Sequence, residues 1–322
     1  MATRSKEKIS IVGSGLIGRS WAMIFASAGY NVVIYDVKQS QITEGLKFIE
    51  EQLKDLQSKG LLKGSLSPDE QMTLIKGSTS LEETVRGAKY IQECVPEVCE
   101  VKNKVFLEME QFADDQTILA SSCSGIQPSK FTEDVKRRHQ CVVCHPLNPP
   151  YHVPLVEVVP SPWTDPDVIR RTRALLEEVG QVPVTVNKEP RGYVANRVQY
   201  AMIAECWRLV KDGVITVEDM DRVIWAGLGP RWAIIGPFEV MHLNAEGFGN
   251  NLERYGQLMR DAMDSMGPPP TFSGPEATKI VEELNQLIPL DKLEERRKRR
   301  DERLSAVAKL KKEMDNKGAE KQ

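Results

Sequence analysis

The chain has 322 residues, of which 41% are hydrophobic and 28% are charged, and its formal net charge is −3. This composition predicts a folded protein of about two domains, and the small net charge gives no reason to expect nucleic acid or an acidic membrane as partner. The polar opening MATRSKEKIS has no signal core, and no stretch approaches the roughly 18 apolar residues of a membrane span, so a cytoplasmic location is expected.

The first third of the chain alternates apolar strands with helical periodicity. The segment KISIVGSG (8–15) reads as a strand ending in glycines, a helix follows as far as Gly29, and NVVIYD (31–36) reads as a second strand. A long amphipathic helix is expected over about 40–58. Residues 68–89 are expected to form two short helices, the first capped by Ser67 and opened by Pro68.

Five further apolar segments read as strands, with helices between most of them: YIQECV (90–95), TILASS (117–122), QCVVCHPL (140–147), LVEVVP (155–160) and VPVTV (182–186). This alternation predicts an α/β fold, a Rossmann-type, mainly parallel sheet covered on both faces. After Gly192 the pattern becomes helical only, with a rigid linker MGPPPTFSGP at 266–275 and a solvated, charged helical tail from about 291. The expected domains are 1–190, which binds the cofactor, and an all-α domain at 191–322.

The motif Gly13-Ser14-Gly15-Leu16-Ile17-Gly18 is a G-x-G-x-x-G that follows a strand and opens a helix. In that context the glycines permit a tight turn, a close approach of a pyrophosphate and close packing of helix on strand, while the helix N-terminus favours the anion. Asp36 ends the next strand and can accept hydrogen bonds from the adenosine ribose hydroxyls, which favours NAD over NADP. Lys38 could reach a 2′-phosphate, and an ordinary turn that binds nothing is the alternative.

The segment QCVVCHPLNPP (140–150) allows three interpretations: a c-type haem attachment pattern, a Cys141–Cys144 redox pair, or a catalytic His145. Haem attachment normally takes place outside the cytosol, and six cysteines in a reducing compartment are mostly small buried residues. Cys141 and Cys144, three positions apart on a strand, face opposite sides of the sheet and cannot pair. His145 ends its strand, where ligands bind in such sheets, although a structural histidine is the alternative.

Glu157 lies in the strand after His145, where its carboxylate could fix the tautomer of the imidazole and stabilise its charged form. Ser124 follows the strand TILASS at the same edge and could hold a substrate hydroxyl.

The segments ASSCSG, HPLNP, LVEVV and RGYVANR resemble the 3-hydroxyacyl-CoA dehydrogenase family, in the same order and over nearly the whole chain. The resemblance implies that His145 is a general base, Glu157 its carboxylate partner, and Ser124 and Asn196 ligands of the substrate oxygen. It also implies cofactor contacts by Glu97, Lys102 and Asn148, the last beside the nicotinamide. No metal is expected.

Other segments, including QECVPE, HPLNPPY, GLGPRWA and MHLNAEG, resemble a branch of that family that oxidises a free sugar acid, L-gulonate, at its C3 hydroxyl. The sequence departs from the acyl-CoA branch, which has Asn and Thr where Ser122 and Cys123 stand, and often a second Ser at Gly125. It has two aromatics where Pro146 and Leu147 stand. These departures weaken the case for CoA thioesters as substrates.

A free sugar acid presents a carboxylate, for which a guanidinium fork is the best-matched cation. Arg231 in GLGPRWAIIGP, expected in a turn after an apolar helix, is the predicted anchor, and Arg197 is a competing cation. Apolar surface on the helices at 192–229 is expected to form a homodimer interface. A 3-hydroxyacyl-CoA dehydrogenase and a structural crystallin that only binds NADH remain the alternative functions.

Overall fold

A single eight-stranded sheet forms the centre of the first part of the chain. The computed structural model describes residues 7–319, except the side chains of residues 312 and 315–319. The sheet has the strand order β3-β2-β1-β4-β5-β6-β7-β8. Its strands are β1 Lys8–Val12, β2 Asn31–Tyr35, β3 Ile75–Ser78, β4 Ala88–Glu93, β5 Ile118–Ser121, β6 Cys141–Pro146, β7 Leu155–Pro160 and β8 Val182–Thr185. All neighbouring strands are parallel except β6 and β7, which run antiparallel.

Helices cover both faces of this sheet, as the alternation of strands and helices predicted. They are α1 Leu16–Ser27, α2 Gln39–Ser58, α3 Pro68–Thr73, α4 Leu81–Val85, α5 Cys99–Met109, α6 Pro128–Thr132 and α7 Pro166–Glu178. Two apolar clusters form the core, one on each face, because successive side chains of a strand point to opposite sides. Val142 and Cys144 of β6 belong to one cluster, and Cys141 and Val143 to the other.

The segment between α2 and β4 contains a strand that the sequence did not indicate. Both predicted short helices are present, and Ser67 forms a capping box with Glu70 at the start of α3. Between them, β3 pairs with β2 at the edge of the sheet. Its sequence IKGS has one buried apolar residue, Ile75, so its pattern lacks the run of apolar residues by which the other strands were recognised. Pairing with β2, a non-local effect, therefore decides the structure here.

The second part of the chain is helical. Its helices are α8 Ala195–Lys211, α9 Val217–Arg222, α10 Gly229–Trp232, α11 Pro237–Leu243, α12 Phe248–Asp264, α13 Pro275–Leu287 and α14 Leu293–Ala319. The predicted linker at 266–275 lies between α12 and α13. A π-helical segment, Val223–Leu228, joins α9 to α10. Arg231 therefore lies in a helix and not in the turn expected from the sequence, since Gly229 and Pro230 continue the helix instead of ending it.

The chain divides into two compact units, one comprising residues up to Asn196 together with the segment from Asp301, and the other Arg197–Arg300. Glu302 forms an ion pair with Lys59 at 2.7 Å and Ser305 a hydrogen bond with His152, and both contacts lie within the first unit. Within residues 7–319, no helix is long and apolar enough to cross a membrane.

Candidate active site

The three glycines of the loop after β1 have different structural roles. Gly13 has a φ of +111°, and a Cβ there would lie 2.7 Å from the carbonyl oxygen of Cys94. A Cβ on Gly18 would lie 2.0 Å from the carbonyl oxygen of Gly13. A Cβ on Gly15, by contrast, would meet no protein atom within 4 Å. The fold therefore requires Gly13 and Gly18, whereas Gly15 leaves an open cradle beside the backbone.

The cradle lies at the N-terminus of α1. Gly15 is the N-cap residue of this helix, it provides no side-chain cap, and Leu16 is 53% exposed. The first N–H groups of a helix have no partner within the helix, and its dipole favours an anion at that end. The open space at Gly15 and the uncapped amides of Leu16 and Ile17 thus fit a dinucleotide pyrophosphate.

Asp36 lies one residue beyond the end of β2, beside this loop. Its Oδ2 accepts hydrogen bonds from the backbone N–H of Ser14 at 3.0 Å and from the Ser14 hydroxyl at 2.7 Å. Burial alone would raise the pKa of Asp36, but these hydrogen bonds, with those from the backbone beyond it, hold the pKa below its usual value. A carboxylate that stays ionised here suits the ribose hydroxyls of an adenosine and repels a 2′-phosphate.

His145 and Glu157 form a buried pair on neighbouring strands. The two residues are direct partners in the antiparallel register of β6 and β7, and Nδ1 of His145 lies 2.8 Å from Oε2 of Glu157. Their side chains are 5% and 1% exposed. A carboxylate at Nδ1 requires the proton on that nitrogen, which leaves Nε2 as the free acceptor of a neutral imidazole.

The second oxygen of Glu157 is bound by the backbone at the start of α8. Oε1 accepts hydrogen bonds from the backbone N–H groups of Val194 at 2.8 Å and Ala195 at 2.9 Å. Burial would raise the pKa of Glu157, yet the hydrogen bonds from His145 and from the two amides lower it below its ordinary value. The buried carboxylate is therefore ionised at neutral pH and can stabilise an imidazolium.

Tyr193 is part of this arrangement and was not singled out from the sequence. Its ring centroid lies 5.5 Å from that of His145, its hydroxyl donates to the Ile126 carbonyl at 2.5 Å, and its φ is +50°. Gly192 before it also has a positive φ, 76°. A bulky residue with positive φ is uncommon. The resemblance carried by RGYVANR indicated a role for Asn196 and gave no indication of one for Tyr193.

Ser124, Asn196 and Glu97 are brought together. The side-chain amide of Asn196 donates to the Ser124 carbonyl at 2.7 Å, and Oε1 of Glu97 accepts from the backbone N–H groups of Ser124 at 2.8 Å and Gly125 at 3.1 Å. The Ser124 residue is exposed, and its hydroxyl has no hydrogen-bond partner within the part of the chain that the structure describes. That hydroxyl is available to a ligand.

Lys102 lies beneath this group, away from solvent. Its ammonium is 1% exposed and contacts both oxygens of buried Glu93, at 3.0 and 3.1 Å, and Oε2 of Glu97 at 3.6 Å. Burial would lower the pKa of Lys102, but the carboxylate of Glu93 raises it above its usual value. Lys102 thus supports the loop that bears Glu97, and in this conformation it offers a ligand little surface.

Asn148 is exposed, two residues after β6. Arg231 is also exposed, in the second compact unit, and forms no ion pair with any other described residue. Among the side chains that the structure describes, no three His, Cys, Asp or Glu are grouped to bind a metal ion.

Cys141 and Cys144 are both buried, free thiols. They belong to core clusters on opposite faces of the sheet, as the strand geometry predicted. Burial raises the pKa of both thiols, that of Cys144 to about 12, so neither is a reactive thiolate at neutral pH. The two thiols therefore do not form a redox pair in this structure, and a functional role for His145 stays a prediction.

Comparison with known proteins agrees with this geometry. The sequence model of the 3-hydroxyacyl-CoA dehydrogenase NAD-binding domain matches residues 8–189, and the model of the C-terminal domain of the same enzymes matches residues 192–273. The chain therefore belongs to the 3-hydroxyacyl-CoA dehydrogenase family. Within that family it is 48% identical to lambda-crystallin of Oryctolagus cuniculus over 316 residues, which span 98% of this chain and 99% of the relative.

Two further proteins are more distant. The L-carnitine dehydrogenase of Bacillus cereus is 32% identical over 96% of this chain and 94% of its own. The solved structure of 5-formyl-3-hydroxy-2-methylpyridine 4-carboxylic acid 5-dehydrogenase, an NAD+-dependent dismutase, superposes with a TM-score of 0.81 at 25% identity. It covers 95% of this chain and 98% of that one. The chain is thus an NAD-dependent dehydrogenase acting on a CH–OH group, and the predicted fold class and cofactor are confirmed.

Proposed function

We propose that the protein oxidises the C3 hydroxyl of L-gulonate to 3-dehydro-L-gulonate, with His145 as general base. The observation that supports this role most directly is the buried contact of 2.8 Å between Nδ1 of His145 and Glu157. A bound NAD would supply the acceptor for the hydride from C3. Nε2 of His145 takes the hydroxyl proton, and the ionised Glu157 stabilises the imidazolium that results.

In this proposal Ser124 and Asn196 hold the reacting oxygen. The free hydroxyl of Ser124 donates to it. The side-chain amide of Asn196 donates to the Ser124 carbonyl at 2.7 Å, and this hydrogen bond fixes the position of Asn196 relative to Ser124. Hydrogen-bond donors fixed before the reaction stabilise an oxygen on which negative charge develops as its proton leaves.

The cradle of the glycine loop would hold the cofactor. Gly13 and Gly18 shape the loop, Gly15, Leu16 and Ile17 would contact the pyrophosphate, and Asp36 would bind the adenosine ribose. Glu97 and Asn148 would contact the nicotinamide half, and Lys102 would act on it through Glu97. The carboxylate of Asp36 makes NAD the preferred cofactor over NADP.

The substrate class rests on separate support. L-carnitine is itself a free 3-hydroxy carboxylic acid, and the dehydrogenase named for it matches nearly the whole chain. Pro146 and Leu147 stand where the acyl-CoA branch has two aromatics, and this difference also favours a free acid over a CoA thioester. We assign the substrate carboxylate to Arg231, which has no described ion-pair partner.

An assay of NADH formation by absorbance separates the candidate functions. The purified protein would be given NAD with L-gulonate, L-carnitine, or 3-hydroxybutyryl-CoA. Turnover of L-gulonate with the highest kcat/KM is the expected result. A preference for the CoA thioester would identify a 3-hydroxyacyl-CoA dehydrogenase, and tight NADH binding without turnover of any substrate would favour a structural crystallin.

The apolar surface of the second compact unit supports a homodimer. Trp225, Ile234 and Phe238 are 67%, 72% and 75% exposed. Exposed large apolar side chains such as these are the surface that an interface between two chains would cover. Sedimentation velocity of the protein should give twice the mass of one chain, and Phe238→Glu should shift it to the monomer. A cytoplasmic location stays a prediction, which cell fractionation would test.

A further inference from the structure

Ser14 occupies the first variable position of the G-x-G-x-x-G loop, and its side chain points away from solvent. The residue is 1% exposed, and its hydroxyl donates to Oδ2 of Asp36 at 2.7 Å. Its backbone N–H donates to the same oxygen at 3.0 Å. Two donors from one residue thus hold one oxygen of the carboxylate, while the other accepts from the backbone N–H of Lys38 at 3.3 Å.

Ser14 is itself fixed from the opposite side. The guanidinium of Arg19 donates from Nε to the Ser14 carbonyl at 2.7 Å. The guanidinium carbon, Cζ, lies 5.3 Å from the ring centroid of Phe48 on α2. A Cβ on Gly45, also on α2, would lie 3.3 Å from the same Nε, so the guanidinium is enclosed between α1 and α2. Arg19 therefore restrains Ser14, and Ser14 restrains Asp36.

We propose that the Ser14 hydroxyl is a positioning and specificity-determining group for the cofactor, which acts through Asp36. It orients the carboxylate so that Oδ1 is presented to the adenosine ribose before the cofactor arrives. A carboxylate already held in its binding orientation loses less conformational freedom on binding. This proposal rests on the proposed role of Asp36 in ribose binding.

The consequence for cofactor choice is specific. NADH gains from an oriented carboxylate, because its 2′-hydroxyl can donate to it. NADPH carries a phosphate at that position and gains nothing from the same orientation. Removal of the Ser14 hydroxyl should therefore weaken NADH binding and leave NADPH binding nearly unchanged. The ratio of the Kd for NADPH to the Kd for NADH should become smaller.

The test uses Ser14→Ala, which keeps the backbone N–H bond to Asp36 and deletes only the hydroxyl. The matched control is Ser20→Ala on the same helix, whose hydroxyl donates to the Leu16 carbonyl at 3.0 Å and does not contact Asp36. Calorimetric titration of each full-length protein with NADH and with NADPH gives both dissociation constants. Ser14→Ala should raise the Kd for NADH by about three- to tenfold, part of the contribution of a hydrogen bond to a charged group.

Asp36→Ala and the double variant Ser14→Ala/Asp36→Ala complete the cycle. If Ser14 acts through Asp36, its substitution has no further effect on NADH binding once Asp36 is absent. An unchanged Kd in Ser14→Ala, or an equal loss in both backgrounds, would overturn the positioning role while leaving that of Asp36 intact. A normal Kd for NADH in Asp36→Ala would instead overturn the assignment of Asp36 itself.

Discussion

His145 and Glu157 face each other across the one antiparallel strand pair among the described strands of the sheet. They are register partners in β6 and β7, and Nδ1 lies 2.8 Å from Oε2. Directly opposed residues of an antiparallel pair project from the same face, with their Cβ atoms about 5 Å apart. Because β7 runs antiparallel to β6, the two side chains lie next to each other on the same face of the sheet. The strand pairing itself positions them, without a contribution from a loop.

His145→Gln should lower kcat by roughly 10²–10⁴-fold, the usual contribution of a positioned acid–base group. NADH affinity should be nearly unchanged, because the main proposed anchors of the cofactor, the glycine loop and Asp36, follow β1 and β2 and not β6. Steady-state kinetics and NADH titration provide the measurements. His139→Gln, at an exposed position, is the control. Near-normal turnover of the His145 variant would make the histidine structural.

Glu157→Gln should destabilise the protein by about 1–3 kcal/mol at pH 7, since a neutral amide cannot accept all three hydrogen bonds. The folded-state pKa of Glu157 lies below its ordinary value of 4.5, so its stabilising contribution is complete above that value. The contribution is lost as the pH falls through the lowered folded-state pKa. Denaturant unfolding of both proteins across the acid range should show the stability difference shrinking there.

The control for that series is Glu44→Gln on the exposed face of α2, which should leave the free energy of unfolding nearly constant relative to the wild type. A difference between Glu157→Gln and the wild type that stayed the same down to the acid transition would contradict an ionised Glu157.

Gly15→Ala and Gly18→Ala should fail in opposite ways. In Gly15→Ala the added Cβ would meet nothing within 4 Å, so the melting temperature without cofactor should be retained while NADH binding is lost. In Gly18→Ala the added Cβ would lie 2.0 Å from the Gly13 carbonyl oxygen, so the fold itself should be destabilised. Thermal melts with and without NADH distinguish the two. A Gly15 variant that binds NADH normally would move the pyrophosphate elsewhere.

Cys141→Ala with Cys144→Ala should keep activity, because both thiols are core groups. Each substitution should reduce the free energy of unfolding by about 1 kcal/mol through a small cavity. The two losses should add, since the residues belong to separate clusters on opposite faces. Loss of activity in a folded double variant, or a Soret band in the purified protein, would contradict this interpretation.

Arg231→Met should raise KM for L-gulonate by about ten- to hundredfold, which corresponds to about 1.5–3 kcal/mol for a charged hydrogen-bonded contact. NADH binding should not change. Arg260→Met, another exposed arginine of the helical unit, is the matched control. Equal KM values in the two variants would leave the substrate carboxylate without an assigned partner.

The strand ends that bear His145, Ser124 and Asp36 were predictable because their strands are continuous apolar runs, and parallel strands bring their carboxyl ends to one edge. Local patterns did not reveal β3, where pairing with β2 overrides a weakly apolar sequence, or the helical setting of Arg231. The association of Glu302 and Ser305 with the sheet depends on contacts far apart in the chain. The domain limits 1–190 and 191–322 stay a prediction.

The contacts of Glu157 with α8 have a consequence for tolerance to mutation. Two of the three hydrogen bonds to this carboxylate come from main-chain amides, those of Val194 and Ala195. Every amino acid except proline supplies such an amide. The side chains at both positions are therefore free to vary without loss of the bonds that keep the carboxylate ionised, and proline is the one substitution that deletes a donor outright. This part of the electrostatic environment of His145 is encoded by the path of the backbone and so is shielded from most point mutations.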